Sequence, residues 1–103
     1  MRVQVQGNVE ALAQAMRSYI ERRLRLTLGR YVGRLAQVTI RIRDAGKTGG
    51  GCYISAEIAP PGRHLQHEVD DPCLFSAVDA AVERMGRSVR REVEQASDRA
   101  LAG

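Results

Sequence analysis

The sequence contains few aromatic residues, cysteines and lysines. These shortages limit the kind of core that the protein can have and the structural classes to which it can belong. Among 103 residues there are three tyrosines, one phenylalanine and no tryptophan, so a core must consist mainly of aliphatic side chains. Two cysteines, Cys52 and Cys73, do not indicate a disulfide framework. No apolar run approaches the roughly 20 residues of a membrane span, and no export signal is visible. We therefore expect one cytoplasmic domain without a membrane partner.

The charge is unevenly distributed along the chain. Residues 1–43 carry nine arginines and two glutamates, whereas residues 44–103 carry seven basic and ten acidic groups. A concentrated positive field favours a polyanionic partner such as RNA. Fifteen of the sixteen basic residues are arginine. Either a preference for phosphate or a GC-rich coding sequence explains this excess, and we favour the second.

Alternating apolar and polar residues predict four strands. They cover residues 1–6, 38–43, 52–58 and 65–69. The last three follow one another through short links, which favours an antiparallel meander, and the first joins them through a helical crossover. In the connector before the second strand, Tyr31, Val32 and Leu35 are predicted to anchor the chain to the core.

Apolar residues at helical spacing predict two helices. The first covers residues 9–28, with Asn8 as its cap and Gly29 as its end. The second covers residues 71–94 and begins with an Asp-Pro pair, in which Asp71 caps the helix and Pro72 takes its first position. Residues 96–103 are predicted to form a flexible tail behind a single domain at 1–95.

The order β-α-β-β-β-α predicts an α+β fold. In this two-layer sandwich a four-stranded sheet carries both helices on one face, and its other face stays open. We expect the open face to bind a partner or to support weak self-association. Its residues are predicted to be Gln4, Gln6, Thr39, Arg41, Arg43, Tyr53, Ser55 and Glu57.

Arginines collect on the helix sides opposite the apolar stripes, at about 100° per residue. A solvated charged face is the ordinary explanation of this pattern. If the helices pack side by side, however, the arginines form one basic surface that fits a phosphate-lined groove. Arg23 projects near the apolar margin of the first helix. The candidates for nucleic-acid binding on the two outer sides are Arg22, Arg25, Arg84, Arg87, Arg90 and Arg91.

Two motifs resemble ligand sites but lack the required pattern. In GKTGGG at 46–51 the lysine precedes the glycines and a strand follows, whereas a phosphate-binding loop needs G-x-x-x-x-G-K-S/T before a helix. His64 and His67 are three residues apart on a strand and so point to opposite faces, and Cys52 and Cys73 lack paired zinc spacing. We predict no metal and no cofactor.

The remaining reactive groups do not form a catalytic set. Cys73 lies in the first turn of a helix, so it is either a thiol with a lowered pKa or an inert surface thiol. Helix capping and solvated charge account for the acids around that turn, and no nucleophile accompanies them. We therefore predict no enzymatic activity and no small-molecule substrate. These acids are Glu68, Asp70, Asp71 and Asp79.

Two stretches carry a family resemblance. VQGNVEALAQAMRSYIERRL (5–24) forms the first, and LFSAVDAAVERMGRSVRRE (74–92) is similar to the pattern (L/M)-Y-A-A-I-D-x-A-x-(D/E)-(K/R)-(L/M), with Phe75 for Tyr, Ser76 for Ala and Val78 for Ile. In both, the chain resembles the ribosome hibernation-promoting and ribosome-associated inhibitor proteins, also called ribosomal subunit interface proteins. The resemblance covers about residues 1–95. It implies a fold related to double-stranded-RNA-binding domains.

The resemblance also implies a function. Such a protein is a stress or stationary-phase factor that binds the small ribosomal subunit through ribosomal RNA, inhibits translation and protects idle ribosomes. Motif position assigns RNA contacts to Arg23, Arg84, Arg87, Arg90 and Arg91. The sequence ends after the part similar to the family's N-terminal domain, which implies a short form.

Acidic residues distinguish the second helix from the usual family pattern. Glu92, Glu94 and Asp98 occur where the family has a denser lysine and arginine tail, which indicates a divergent branch. The alternative function is a diverged RNA-binding or protein-interaction module on the same fold that no longer binds ribosomes.

Overall fold

The computed structural model describes residues 2–8, 13–44, 47, 49–59 and 62–102. Its element order is the predicted β-α-β-β-β-α, with a 3-10 helical segment after the first helix. The elements are β1 (Arg2–Gly7), α1 (Gln14–Leu28), the 3-10 segment (Gly29–Arg34), β2 (Leu35–Asp44), β3 (Gly50–Ile58), β4 (Arg63–Asp71) and α2 (Leu74–Ala102).

The four strands form one sheet in the order β1-β2-β3-β4. The pairs β2–β3 and β3–β4 are antiparallel, which confirms the meander. β1 pairs in parallel with β2, with Val3 opposite Val38 and Val5 opposite Ile40. A parallel neighbour requires a crossover, and α1 provides it.

The apolar halves of both helices pack against the same face of this sheet. Ile40 of β2 lies opposite Ile54 of β3, and both side chains are fully buried. Each such burial stabilises the fold by about 1.5–3 kcal/mol. On α2 the buried residues are Ala77, Val78, Ala81, Val82, Met85 and Val89. The two-layer α+β prediction is therefore confirmed.

α1 begins later than predicted. Its N-cap is Ala13, in an extended conformation and without a side-chain capping bond. Asn8 instead donates from Nδ2 to the Asp44 carbonyl oxygen at 3.3 Å, so it ties the end of β1 to the end of β2. The prediction of Asn8 as the cap was wrong. Residues 9–12 of the predicted helix lie outside the described residues.

The connector after α1 is a 3-10 helix rather than a loop. Leu35 is buried and Tyr31 packs against the core, as predicted, whereas 50% of Val32 is exposed. At three residues per turn, neighbouring side chains point about 120° apart, so Val32 turns to solvent when Tyr31 turns inward. The prediction that Val32 anchors this segment was wrong.

α2 begins at Leu74, two residues after Pro72, which was predicted to take the first helical position. The Asp71 carboxylate accepts a bond from the Cys73 N–H at 2.9 Å, and the Cys73 carbonyl accepts one from the Ala77 N–H at 3.0 Å. Cys73 is therefore the N-cap, and Pro72 precedes the helix.

α2 continues to Ala102, beyond the predicted end. Because no glycine or proline occurs in its last 16 residues, nothing in the sequence breaks it there. The flexibility predicted for 96–103 stays a prediction, and residue 103 lies outside the described part. In that part, neither helix is long and apolar enough to cross a bilayer.

Candidate nucleic-acid interface

α1 and α2 approach each other closely at Gly86. A Cβ atom on Gly86 would lie 2.6 Å from Cγ2 of Thr27, a separation that real Cβ atoms do not tolerate. Glycine at this position therefore permits the short distance between the helices. The side chains that flank the contact are brought to the edges of one shallow groove.

This interhelical groove is strongly basic. Its volume is about 460 Å³, and among the residues that the structure describes its charged members are four arginines and one glutamate. Arg23 comes from α1, Arg30 from the 3-10 segment, and Arg87 and Arg90 from α2, which also contributes Glu83. Guanidinium groups converging from three elements create a local positive field suited to a phosphate backbone.

Asp79 of α2 holds Arg23 in position. Its Oδ1 lies 3.1 Å from Nε of Arg23 and also accepts a hydrogen bond from the Tyr19 hydroxyl. This bond to a carboxylate raises the pKa of Tyr19, because ionisation would place two negative charges side by side. The Phe75 ring contacts the Tyr19 ring edge-on, with centroids 5.0 Å apart. Together these contacts connect α1 and α2 next to Arg23, which lines the groove.

The arginines of α2 differ in how far they are neutralised. Nε of Arg90 lies 2.9 Å from Oε1 of Glu94, one turn further along the helix, and this bond raises the pKa of Arg90. Arg87 has no ion-pair partner among the residues that the structure describes, so its charge is available to a ligand.

The other predicted candidates lie outside the groove. Arg84 does not line the groove, and after burial its charge and that of Arg87 help to lower the pKa of His67 on β4. Arg91 is two turns further along the same side of α2. Arg25 lines a separate groove beside β1, and Arg22 is exposed one turn before Leu26. The structure thus brings Arg23, Arg87 and Arg90 together in one groove, and the other four predicted arginines do not line it. RNA contact by any of these arginines stays a prediction.

Leu26, Arg30 and Tyr31 are among the described groove residues that the sequence analysis did not assign to a binding surface. Arg30 and Tyr31 follow the predicted end of the first helix, where no periodicity assigns a direction to a side chain. Leu26 was not assigned a role because its position in the helix is not on the buried face. The only available signal was the repetition of arginine through RLRLTLGRYVGR at 23–34.

The open sheet face is polar, and its side chains bond mainly to one another. Arg41 donates to Gln6 at 3.2 Å and lies over the Tyr53 ring, 5.3 Å from its centroid. Arg43 pairs with Asp70 at 3.0 Å. The predicted pattern of outward residues on the central strands is present, but self-association through this face stays a prediction.

The histidines and cysteines do not converge. His67 bonds to Ser88 Oγ at 2.7 Å under α2, whereas His64 lies opposite Glu57 on the open face. In the described residues no group of three or more His, Cys, Asp or Glu could hold a metal ion.

The two thiols occupy opposite environments. Burial raises the pKa of Cys52 to about 12. Cys73 is exposed, and its pKa is lowered chiefly by hydrogen bonds from Ser76 in the first turn of α2. Of the two alternatives left open for Cys73, the structure favours the thiol with a lowered pKa.

Comparison with known proteins gives a consistent result. A family model described as "Sigma 54 modulation protein / S30EA ribosomal protein" matches residues 3–97. The N-terminal domain of Thermus thermophilus Protein Y, a crystal structure, is 28% identical, with a TM-score of 0.75 over 88% of this chain and 98% of that one. A ribosomal subunit interface protein from Coxiella burnetii shares the fold at 14% identity, with a TM-score of 0.77 over 91% of this chain and 99% of that one. No curated protein sequence matches this chain.

Proposed function

The chain belongs to the Sigma 54 modulation protein / S30EA ribosomal protein family, and from that membership we propose that it is a non-catalytic factor that binds the small ribosomal subunit. The contact is made to ribosomal RNA by the basic surface of the two helices. Binding inhibits translation and protects idle ribosomes in the cytoplasm during stress or stationary phase.

The convergence of four arginines on the interhelical groove carries this proposal. Arg23, Arg30, Arg87 and Arg90 line one groove with a single glutamate among them. An arginine face exposed only to solvent gives no reason for guanidinium groups from three elements to meet. Each phosphate that an arginine neutralises releases a counterion, so such a surface binds RNA with a salt-dependent affinity.

The contacts between the two helices support the same proposal. Gly86 allows α2 to lie against Thr27, and Asp79 pairs with Arg23, so the position of Arg23 in the groove is set before RNA binds. A preorganised surface loses less conformational entropy on binding than free side chains do. A factor bound in this way would occupy ribosomal RNA phosphates and prevent other RNA from using the same surface, which is how it would inhibit translation.

Co-sedimentation with separated ribosomal subunits tests the proposal. The purified chain is mixed with small or large subunits at low and at near-physiological salt, and the pelleted protein is measured. We expect retention on the small subunit at both salt concentrations. Loss from both subunits at the higher salt, or equal retention on the two, would contradict the proposal.

Two double variants locate the contact. Arg87→Ala/Arg90→Ala removes two charges from the groove, and Arg41→Ala/Arg43→Ala removes two from the opposite sheet face. Only the first should weaken binding, and it should lower the slope of log affinity against log salt by about two. Equal effects of the two variants would show that net charge, rather than the groove, governs binding.

A protein-interaction role is the second candidate. It is favoured by Glu94, which neutralises Arg90, and by Glu92, which lies 3.5 Å from Nε of Arg63. These acids reduce the positive field towards the end of α2. A chain that binds neither subunit, yet associates with itself in sedimentation velocity, would favour this candidate.

A further inference from the structure

The interhelical groove contains apolar surface that a phosphate-binding site does not need. Leu26, one of its lining residues, is 71% exposed, although it stands among guanidinium groups. Tyr31 lies beside it, half-buried, with its ring against the core on one side. The Cζ atom of Arg30 is 5.9 Å from the centroid of this ring, within the range of a cation–π contact.

Charged side chains line the same groove as these apolar residues. Arg23 from α1 and Arg87 and Arg90 from α2 line the same groove as Leu26 and Tyr31. A ligand in the groove would therefore meet a leucine, an aromatic ring and the guanidinium beside that ring, together with further cations. This is the complement of a nucleotide, which has a flat apolar base and a charged phosphate.

A continuous RNA duplex does not need apolar surface in the groove that binds it. Paired A-form RNA offers phosphates and 2′-hydroxyl groups to a protein surface, because its bases are stacked inside the helix. Unpaired bases in loops and bulges, by contrast, stack on aromatic rings or on arginine planes. The groove volume of about 460 Å³ also falls within the roughly 300–1,000 Å³ of small-ligand sites.

We propose that the interhelical groove binds one unpaired nucleotide of the RNA, with its base against Leu26 and the Tyr31–Arg30 pair and its phosphate against Arg87. This inference rests on the proposed function, since it specifies the RNA feature that the same surface selects. Arg22, Arg25, Arg84 and Arg91, outside the groove, then contribute charge to affinity and do not select this feature.

The test compares two labelled RNA hairpins that differ by one bulged nucleotide. Binding of the purified full chain is measured by fluorescence anisotropy at several salt concentrations. We expect the bulged hairpin to bind more tightly than the fully paired one. Equal affinity for both hairpins would overturn the inference.

Leu26→Ser is the principal variant, because so exposed a side chain can be replaced without loss of the core. It should weaken binding of the bulged hairpin by about fivefold or more and leave the paired hairpin unchanged. Because no charge is removed, the salt slope should be unchanged, whereas Arg87→Ala should lower it by about one on both RNAs. Val32→Ser, a half-exposed apolar residue outside the groove, is the matched control and should change neither affinity.

A second variant tests whether the effect of Leu26→Ser comes from the serine itself rather than from the loss of apolar surface. Tyr31→Leu keeps apolar volume against the core and removes the ring, so it should also reduce the preference for the bulge, with folding checked by circular dichroism. Equal loss on both hairpins in Leu26→Ser and Tyr31→Leu would overturn the inference. If the wild-type chain is retained on the small subunit but shows no preference for the bulge, only this inference fails. If it binds neither the subunit nor either hairpin, the proposed function fails with it.

Discussion

The carboxylate of Asp79 on α2 lies 3.1 Å from the Nε of Arg23 on α1. Their side chains are 41% and 29% exposed, so solvent screens the pair and its contribution to folding is small. Its consequence is positional, because Arg23 is the only arginine that α1 contributes to the interhelical groove. The pKa of Tyr19, whose hydroxyl donates a hydrogen bond to Asp79, reports on the state of this carboxylate.

Asp79→Asn should lower the pKa of Tyr19 towards its ordinary value of 10.0, because the bond from the Tyr19 hydroxyl to Asp79 is the main cause of its upward shift. The measurement is tyrosinate absorbance against pH in the native protein, with Tyr19→Phe to identify which of the transitions belongs to Tyr19. The raised pKa also means that stability from this group is present below pH 10 and lost as the pH rises further. An unchanged Tyr19 transition in Asp79→Asn would contradict the assignment.

Gly86→Ala should destabilise the protein, although alanine is intrinsically the better helix former by about 1 kcal/mol. Its Cβ would meet Cγ2 of Thr27, and a β-branched side chain has little freedom to move aside. Thr27→Ser removes that methyl group, so Gly86→Ala should become stabilising in the Thr27→Ser background. Urea unfolding of the four proteins gives the coupling free energy, which we expect to be about 1–2 kcal/mol. No coupling would mean that the helices separate freely.

The two thiols should react at very different rates. Cys73 is exposed and its pKa is lowered by bonds from Ser76, whereas burial raises the pKa of Cys52 to about 12. At pH 8 a thiol reagent should therefore modify one cysteine in the native protein and both in urea. Cys73→Ser should abolish the native reaction, and Cys52→Ser should leave it unchanged. Rapid modification of Cys52 in folded protein would contradict its burial.

Arg84→Ala should raise the pKa of His67. Burial lowers this pKa below 6.5, and the charges of Arg84 and Arg87 lower it further. Because the folded state binds this proton more weakly, the stabilising contribution is present above pH 6.5 and lost as the pH falls through the folded pKa. The ring C–H shifts of His67 in NMR spectra report the titration. Arg25→Ala, on the far side of α1, is the charge-matched control.

Local periodicity predicted most of the fold. The alternation of Ile40 and Ile42 with arginines fixed which side of β2 is buried, and the stripe from Leu74 to Val89 did the same for α2. Positions decided by distant partners could not be predicted in this way. Asn8 is a residue type that often caps helices, but its side chain bonds to the backbone of Asp44, which is 36 residues away.

The candidate site was predictable only in part for the same reason. A helical pattern shows that Arg87 and Arg90 are on an outer side, yet it does not show which arginines of α1 lie opposite them. That depends on the close approach of the helices at Gly86. From the sequence alone, Gly86 is only a residue that lowers the stability of a helix. Arg30 and Tyr31 belong to a segment without periodicity, so their position in the groove required the structure.

β1 has one consequence for the order in which the fold opens. It lies at the sheet edge and bonds to β2 alone, whereas β2, β3, β4 and α2 follow one another without interruption from Leu35 to Ala102. When β1 detaches, β2 loses one of its two neighbours, but the pairs β2–β3 and β3–β4 can remain intact. Amide hydrogen exchange should therefore be fastest in β1 and slowest in β3, with the detachment of β1 requiring less free energy than global unfolding. The arginine-bearing face of α2 would keep its shape through such an opening, while α1, linked to β1, would be the partner able to move away from it.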